Sequence, residues 1–162
     1  MQDSTHCYTH MASGVHLTKD IGQPLPNVTL YRSTVSALQY VTLTRPEIAF
    51  IVNKLSQFLS VPSDVHWLAC KRVLRYLKGI ITLGLQFYSS GFINLECFSD
   101  ADWVADRDDR KSIAGYCVYL GPNLVSWCSK KQAVVSHSSI ESEYRALAMT
   151  TSELLWMKSL LA

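Results

Sequence analysis

The stretch from residue 92 to residue 110 constrains the fold of this 162-residue chain more than any other. An apolar run leads into two carboxylates, Asp100 and Asp102, and a charged loop begins shortly afterwards at Asp106. A short apolar run of this kind predicts a β-strand with acids at its carboxyl end and a polar loop beyond it.

The two acids have two interpretations. Oxygen ligands suit magnesium and a strand fixes their direction, so Asp100 and Asp102 are well placed to hold a hard divalent cation. Acids are also common at turns, where they cap the backbone without binding any ligand. A second acidic segment, around Glu141 and Glu143, bears on this choice.

The hydrophobic period changes to two residues from Leu83 onward, which predicts strands rather than helices. A hairpin turn is expected at residues 121–123, where glycine, proline and asparagine follow one another. Short loops between consecutive strands imply an antiparallel meander. The predicted strands are residues 83–87, 92–99, 112–120 and 124–135.

A last helix is predicted to begin at Ser138, where Glu141 completes a capping box. Glu143 lies in its first two turns and would point away from solvent if Tyr144 and Leu147 packed on the sheet. A helix laid across the meander from that start would bring Glu143 beside the end of the acidic strand. The alternative is that Glu143 only favours the helix dipole.

The first half of the chain is predicted to be helical after a poorly structured leader over residues 1–30. Apolar residues at helical spacing predict one helix over 31–42 and another over 64–78. Between them, Thr44 and Glu47 form the pattern of a capping box that would begin a further helix.

Positive charge is concentrated on the helix predicted over residues 64–78. Lys71, Arg75 and Lys78 share one face and Arg72 adjoins it, so these side chains could follow a phosphate backbone. A solvated basic face is the other interpretation. The formal net charge is only +2, so nucleic-acid binding would have to come from a local cluster of this kind.

The cysteines favour an intracellular protein. There are five, scattered and without a C-x-x-C pair, as expected of reduced thiols. His6, Cys7 and His10 could contribute to a zinc site, but they lack a nearby fourth ligand. Neither a signal peptide nor a membrane-spanning run is apparent, so we expect no membrane partner and leave the compartment open.

Ordered motifs occur along nearly the whole chain. They are Tyr31-Arg32-Ser33, Thr44-Arg45-Pro46-Glu47-Ile48, residues 71–79, Ser99-Asp100-Ala101-Asp102-Trp103, Asp109-Arg110-Lys111-Ser112, Gly115-Tyr116, residues 126–132, Ser138-Ser139 and Glu141-Ser142-Glu143-Tyr144. On these motifs, residues 11–162 resemble the carboxyl-terminal part of the polyprotein of Ty1/copia-type retrotransposons. The similar region runs from the end of the reverse transcriptase into the ribonuclease H domain.

The resemblance implies an α+β fold with two parts. Residues 31–80 would be a helical segment like the thumb or connection of the polymerase. Residues 81–162 would be the N-terminal half of a ribonuclease H-like domain, with an antiparallel three-stranded meander and one helix. These boundaries, with the leader over 1–30, are the predicted domain organisation.

The resemblance also implies residue roles. Asp100 and Glu143 correspond to catalytic carboxylates that bind magnesium and serve cleavage of the RNA strand of an RNA–DNA hybrid. Lys130 and Lys131 become candidates for contacts with the nucleic-acid backbone, together with the four cations of the third helix. No other cofactor is implied.

The family pattern continues beyond Ala162 into a fourth strand with another essential aspartate and a last metal-binding acid. Two carboxylates hold a pair of magnesium ions less well than three or four, so we expect a retrotransposon-derived fragment that is inactive alone. The strand that carries Asp100 would be an open edge, which invites self-association. A nucleic-acid-binding module, or a protein-interaction module completed by a partner strand, remains the alternative without catalysis.

Overall fold

The computed structural model describes residues 4–91 and 93–162, and the chain divides into two compact units, Met1–Gly84 and Leu85–Ala162. The elements of the first unit are α1 (Val28–Val41), a short 3₁₀ helix (Pro46–Ile48), α2 (Ala49–Ser56) and α3 (Asp64–Gly79). Those of the second are β1 (Leu95–Asp102), β2 (Ile113–Leu120), β3 (Asn123–Lys131) and α4 (Ser139–Leu161). The predicted α+β class is therefore confirmed.

The first unit is built on apolar faces of its helices. In α1, Tyr31, Val35 and Leu38 are buried because their spacing places them on one side of the helix. The other core residues are Leu17, Ile48, Ile51, Val52, Leu55, Phe58, Cys70 and Val73. The hydroxyl of Tyr31 donates to the carbonyl of Leu55 at 2.8 Å, which satisfies its polar group inside this core.

The capping box predicted for Thr44 and Glu47 is wrong. The hydroxyl of Thr44 donates to the carbonyl of Val41 at 3.3 Å, and Glu47 forms an ion pair with Arg45 at 3.4 Å. Arg45 is the residue that precedes the 3₁₀ helix, and it makes no side-chain cap. Pro46 fixes this start instead, since a proline at the first helical position needs no backbone donor.

A different capping box begins α3. The Ser63 hydroxyl accepts from the backbone N–H of His66 at 3.4 Å, and the Nδ1 atom of His66 accepts from the backbone N–H of Ser63 at 3.0 Å. His66 is fully buried, and its ring stacks on Phe58 with 3.9 Å between ring centres. Histidine thus takes the place that glutamate or glutamine usually has in such a box.

Residues 4–27 form no helix and pair with the rest of the unit through an isolated bridge between Pro24 and Ser63. Leu17 is nevertheless buried in the core. Gly22 has a positive φ of 80°, and a Cβ atom there would collide with the carboxylate of Asp64. This part of the leader is therefore fixed closely against the start of α3.

The second unit contains the predicted antiparallel meander. Its strand order is β1-β2-β3, with Asp100 opposite Gly115 and Gly115 opposite Ser129. The strand predicted over 83–87 is wrong, because residues 83–90 have no regular secondary structure. There the side chain of Asn123 accepts from the N–H of Tyr88 at 2.7 Å and donates to its carbonyl at 2.9 Å, replacing a ladder of backbone bonds.

The predicted boundaries of the other strands differ at their ends. Phe92, where the second strand was expected to begin, lies outside the described residues. The structure begins β1 at Leu95 and continues it through both acids to Asp102. It ends β3 at Lys131, before the end predicted at residue 135.

Helix α4 packs across β1 and β2 through small side chains. Ala146 contacts Ala101 and Ala114, and Met149 borders this cluster. The buried stripe of the helix is Ser142, Ala146, Thr150 and Met157. Tyr144 and Leu147 are 67% and 50% exposed, so the condition under which Glu143 would point away from solvent is not met. Alanines on the strands allow the helix to lie close, which leaves no room for large side chains between them.

No helix in the described parts of the chain has both the length and the apolar character required to cross a membrane.

Candidate functional site

Asp100 lies on the face of the sheet away from α4. Along β1 exposed residues alternate with less exposed ones, and Ala101 is the position that packs on the helix. Successive side chains of a strand point to opposite faces, so Asp100 and Asp102 both leave β1 on the other side. Both side chains are exposed.

Glu143 lies at the beginning of α4, which the preceding residues fix. The Ser138 hydroxyl accepts from the N–H of Glu141 at 3.1 Å, as predicted, while the Glu141 carboxylate accepts from the N–H of His137 at 2.8 Å. Glu141 therefore reaches one residue further back than a standard capping box requires. Glu143 is exposed, next to the buried Ser142.

The start of α4 lies near the end of β1, but the carboxylate of Asp100 does not point toward α4. Contact between Ala146 and Ala101 places the start of α4 near the carboxyl end of β1. Leu95, at the other end of the strand, lines a surface depression with Lys158 and Leu161, so α4 runs antiparallel to β1. Glu143 is thus close to the end of the acidic strand, but the carboxylate of Asp100 leaves that strand on the opposite face.

The described residues do not by themselves fit a magnesium centre. Across residues 4–91 and 93–162, no three or more histidine, cysteine, aspartate or glutamate side chains converge as metal ligands. Asp100 and Glu143 are two exposed carboxylates, and Asp100 leaves β1 on the face away from α4. Magnesium held by protein needs oxygen ligands directed at one point, which this pair alone does not provide.

The acidic loop contains a structural cluster that was not predicted from the sequence. Asp106 is fully buried, and its Oδ1 atom accepts from the N–H of Asp108 at 2.9 Å and of Asp109 at 3.4 Å. The Nζ atom of Lys131 donates to Asp106 and to Asp109, each at 3.0 Å. An aspartate followed by polar residues is a signal for such a self-capped turn, but it does not identify the distant lysine.

Lys131, predicted to contact nucleic acid, is therefore engaged inside its own unit. Burial lowers the pKa of its ammonium group, but the hydrogen bonds and charges of Asp109 and Asp106 outweigh this, and the pKa is raised. The neighbouring Lys130 is exposed and is available at the surface.

The four cations predicted on the third helix are present on α3, but three of them hold the leader. Arg72 donates to Thr9, Arg75 donates to Thr5, and Lys78 donates to the carbonyl of Ser4 at 3.1 Å. The ammonium group of Lys71 lies 5.4 Å from the ring centre of Trp67, a cation–π contact.

His6 and His10, two of the residues considered for a zinc site, contact aromatic rings. The His6 ring meets Tyr8 edge-on at 5.0 Å, and the His10 ring meets Tyr76 at 5.5 Å.

All five cysteines of the chain are free thiols. Burial raises the pKa of Cys70 to about 12, so this thiol stays protonated at neutral pH.

The chain is similar to plant transposon proteins. It is 49% identical to the retrovirus-related Pol polyprotein from transposon RE2 of Arabidopsis thaliana, and 46% identical to that from transposon RE1, over 94% of this chain. It spans 10% of the length of each of these relatives. The secreted RxLR effector protein 161 of Plasmopara viticola is 48% identical over 78% of this chain and 90% of its own length. No family model and no solved structure matches the chain.

Proposed function

This chain belongs to the Ty1/copia-type Pol polyproteins of retrotransposons, and we propose that its second unit is the first part of a ribonuclease H-like domain. The ancestral activity of such a domain is cleavage of the RNA strand of an RNA–DNA hybrid. Asp100 and Glu143 are the carboxylates that would serve it, and this chain alone does not cleave.

The position of the two acids supports the ancestry. Three antiparallel strands are followed by a helix packed across the first two, and the helix begins near the carboxyl end of β1. Each of these two elements carries one of the acids there. This juxtaposition of β1 and the start of α4 is the observation that carries the proposal.

The same geometry supports the absence of activity. Catalysis with two metal ions requires ligands that clamp both ions about 3.5–4 Å apart. Asp100 and Glu143 are exposed, and Asp100 leaves β1 on the face away from α4, so we infer that this pair offers no such clamp.

A cleavage assay tests this proposal. Purified chain, shown to be folded by circular dichroism, is incubated with magnesium and an end-labelled RNA–DNA hybrid, beside Asp100→Asn and Glu143→Gln variants. We expect the same background for all three proteins. Magnesium-dependent cleavage by the parent chain that is lost in both variants would contradict the proposed inactivity while supporting the two residue roles.

Strand pairing is a second candidate function. The strand order places β1 at one edge of the sheet, and none of the described residues pairs with its outer side. Unpaired backbone groups on an edge strand can accept a further strand from another molecule. We expect self-association that weakens when Ser99, in the middle of β1, is replaced by proline; sedimentation velocity showing a monomer at all concentrations would contradict it.

A further inference from the structure

Helix α4 carries a second apolar stripe, on a side that does not pack against the sheet. This stripe, here called the outer face, consists of exposed residues that follow one another at intervals of three or four, which places them on one side of the helix. They are Ile140, Tyr144, Leu147, Thr151, Leu155 and Lys158. The four apolar members are between 50% and 67% exposed. A continuous apolar surface of this kind is typical of an interaction site.

The outer face has nearly the same order of residues from either end, because it is arranged around Thr151. Leu147 and Leu155 lie four residues before and after Thr151, and Tyr144 and Lys158 lie seven residues before and after it. Two copies of α4 that pair antiparallel about Thr151 therefore bring Leu147 of each copy against Leu155 of the other. Such a pairing has twofold symmetry, in which the same surface of each copy contacts the other.

Thr151 is suited to the centre of this contact although it is polar. Its hydroxyl donates to the carbonyl of Leu147 at 2.8 Å, within its own helix. Because this donor already has its acceptor, pairing does not leave a buried hydroxyl proton unsatisfied. The small side chain of threonine also allows two helices to come close where they cross.

The charges at the two ends of the outer face are complementary when the helices are antiparallel. Glu143 adjoins the face near the beginning of α4, and Lys158 lies on it near the end. Antiparallel pairing places Lys158 of each copy beside Glu143 of the other and beside the ring of Tyr144, where a cation–π contact can form. A parallel pairing would instead oppose glutamate to glutamate and lysine to lysine. The helix dipoles also favour the antiparallel arrangement.

We propose that the outer face of α4 is a self-association surface, through which two copies of the chain form an antiparallel helix pair centred on Thr151. The contact differs from pairing through the edge of β1, because it uses side chains of the helix rather than backbone groups of the strand. It requires neither metal binding nor cleavage, so it stands or falls separately from the proposed nuclease ancestry.

Sedimentation velocity of the full chain over a range of concentrations tests the surface. The parent chain should form a dimer. Leu147→Lys with Leu155→Lys should raise the dimer dissociation constant by about a hundredfold or more, because four leucine side chains lose a buried contact. Trp156→Lys with Leu160→Lys is the matched control, since it adds the same charge at exposed apolar positions on another side of α4, and it should leave the dissociation constant unchanged.

A charge exchange tests the orientation of the pair. Glu143→Lys or Lys158→Glu alone should weaken the dimer by about fivefold, because each brings like charges together, and the two substitutions combined should restore it. Within one helix the two residues are about 22 Å apart, so recovery can come only from contact between copies.

The proposal is overturned by a parent chain that is monomeric at every concentration, or by charge variants that are not rescued in combination. A dimer that survives the two leucine substitutions also overturns it, and loss of that dimer in Ser99→Pro would assign self-association to β1 instead. Circular dichroism of each variant confirms that the helices are intact.

Discussion

Asp106 has no exposed surface although it lies in a loop rich in charge. Its burial is possible because every side-chain oxygen is used: Oδ1 accepts from the N–H groups of Asp108 and Asp109, and Oδ2 accepts from Lys131. A buried charge is tolerated only when it is paired and hydrogen-bonded in this way. The loop between β1 and β2 is therefore fixed by one residue and its partners.

Removing the lysine should destabilise the second unit strongly. Lys131→Met leaves the buried carboxylate of Asp106 without its cation, and loss of one partner of a buried pair costs about 3 kcal/mol of the free energy of unfolding. Lys130→Met, at the exposed neighbouring position, should change it by less than about 0.5 kcal/mol. Urea denaturation of both variants measures the difference, and equal values would contradict this role for Lys131.

At the scale of an element, the helix starts show that a local sequence pattern can predict the wrong cap. The capping box of α3 depends on His66, a residue type for which the usual pattern does not search. Its Nδ1 accepts from Ser63, so its Nε2 carries the proton and donates to the carbonyl of Thr18 at 3.1 Å. One ring thus joins the leader, the cap and the core, a tertiary role that spacing along the chain does not reveal.

Replacing His66 should separate these roles. His66→Ala removes the cap partner, the bond to Thr18 and the stack on Phe58, and should cost about 3 kcal/mol of unfolding free energy. His66→Gln keeps an acceptor for Ser63 and should cost less than half as much. Thermal and urea unfolding test this; equal losses in the two variants would show that the cap contributes nothing.

The start of α4 should respond to acid. The hydrogen bond from Arg145, and then that from the backbone of His137, lower the pKa of Glu141 below its usual value of 4.5. A lowered carboxylate pKa means stability that is present above pH 4.5 and lost as the pH falls through the folded-state value. The free energy of unfolding should fall more steeply below pH 4.5 for the parent chain than for Glu141→Gln, and equal slopes would contradict the cap.

For the whole molecule, the sequence predicts the class and order of elements better than their contacts. The change in hydrophobic period at Leu83 falls between α3 and β1, because period is a local property, but no strand forms over residues 83–87. It does not show that α4 approaches the sheet through Ala146, since alanine carries little hydrophobic signal and its selection depends on Ala101 and Ala114 across the interface. The partner of Asp106 is missed for the same reason, because strand register alone brings Lys131 near.

The proposed site depends on the same non-local placement. The sequence predicts that Glu143 lies near the end of β1. Alternation along β1, however, puts Asp100 on the face of the sheet away from α4. The proposed ancestry rests on motifs and element order, whereas metal binding depends on where the side chains point. We therefore propose that this chain keeps two residues of an ancestral site without holding the metal.

Direct metal binding is the measurement that decides this point. Free Mn²⁺, followed by its electron paramagnetic resonance signal, is titrated with the parent chain, Asp100→Asn, Glu143→Gln, and Asp102→Asn as a control on the same strand face. We predict that all four proteins lower the signal equally and only weakly. Stoichiometric uptake by the parent chain and Asp102→Asn, lost in Asp100→Asn and Glu143→Gln, would contradict the account and show that these two carboxylates meet in one site.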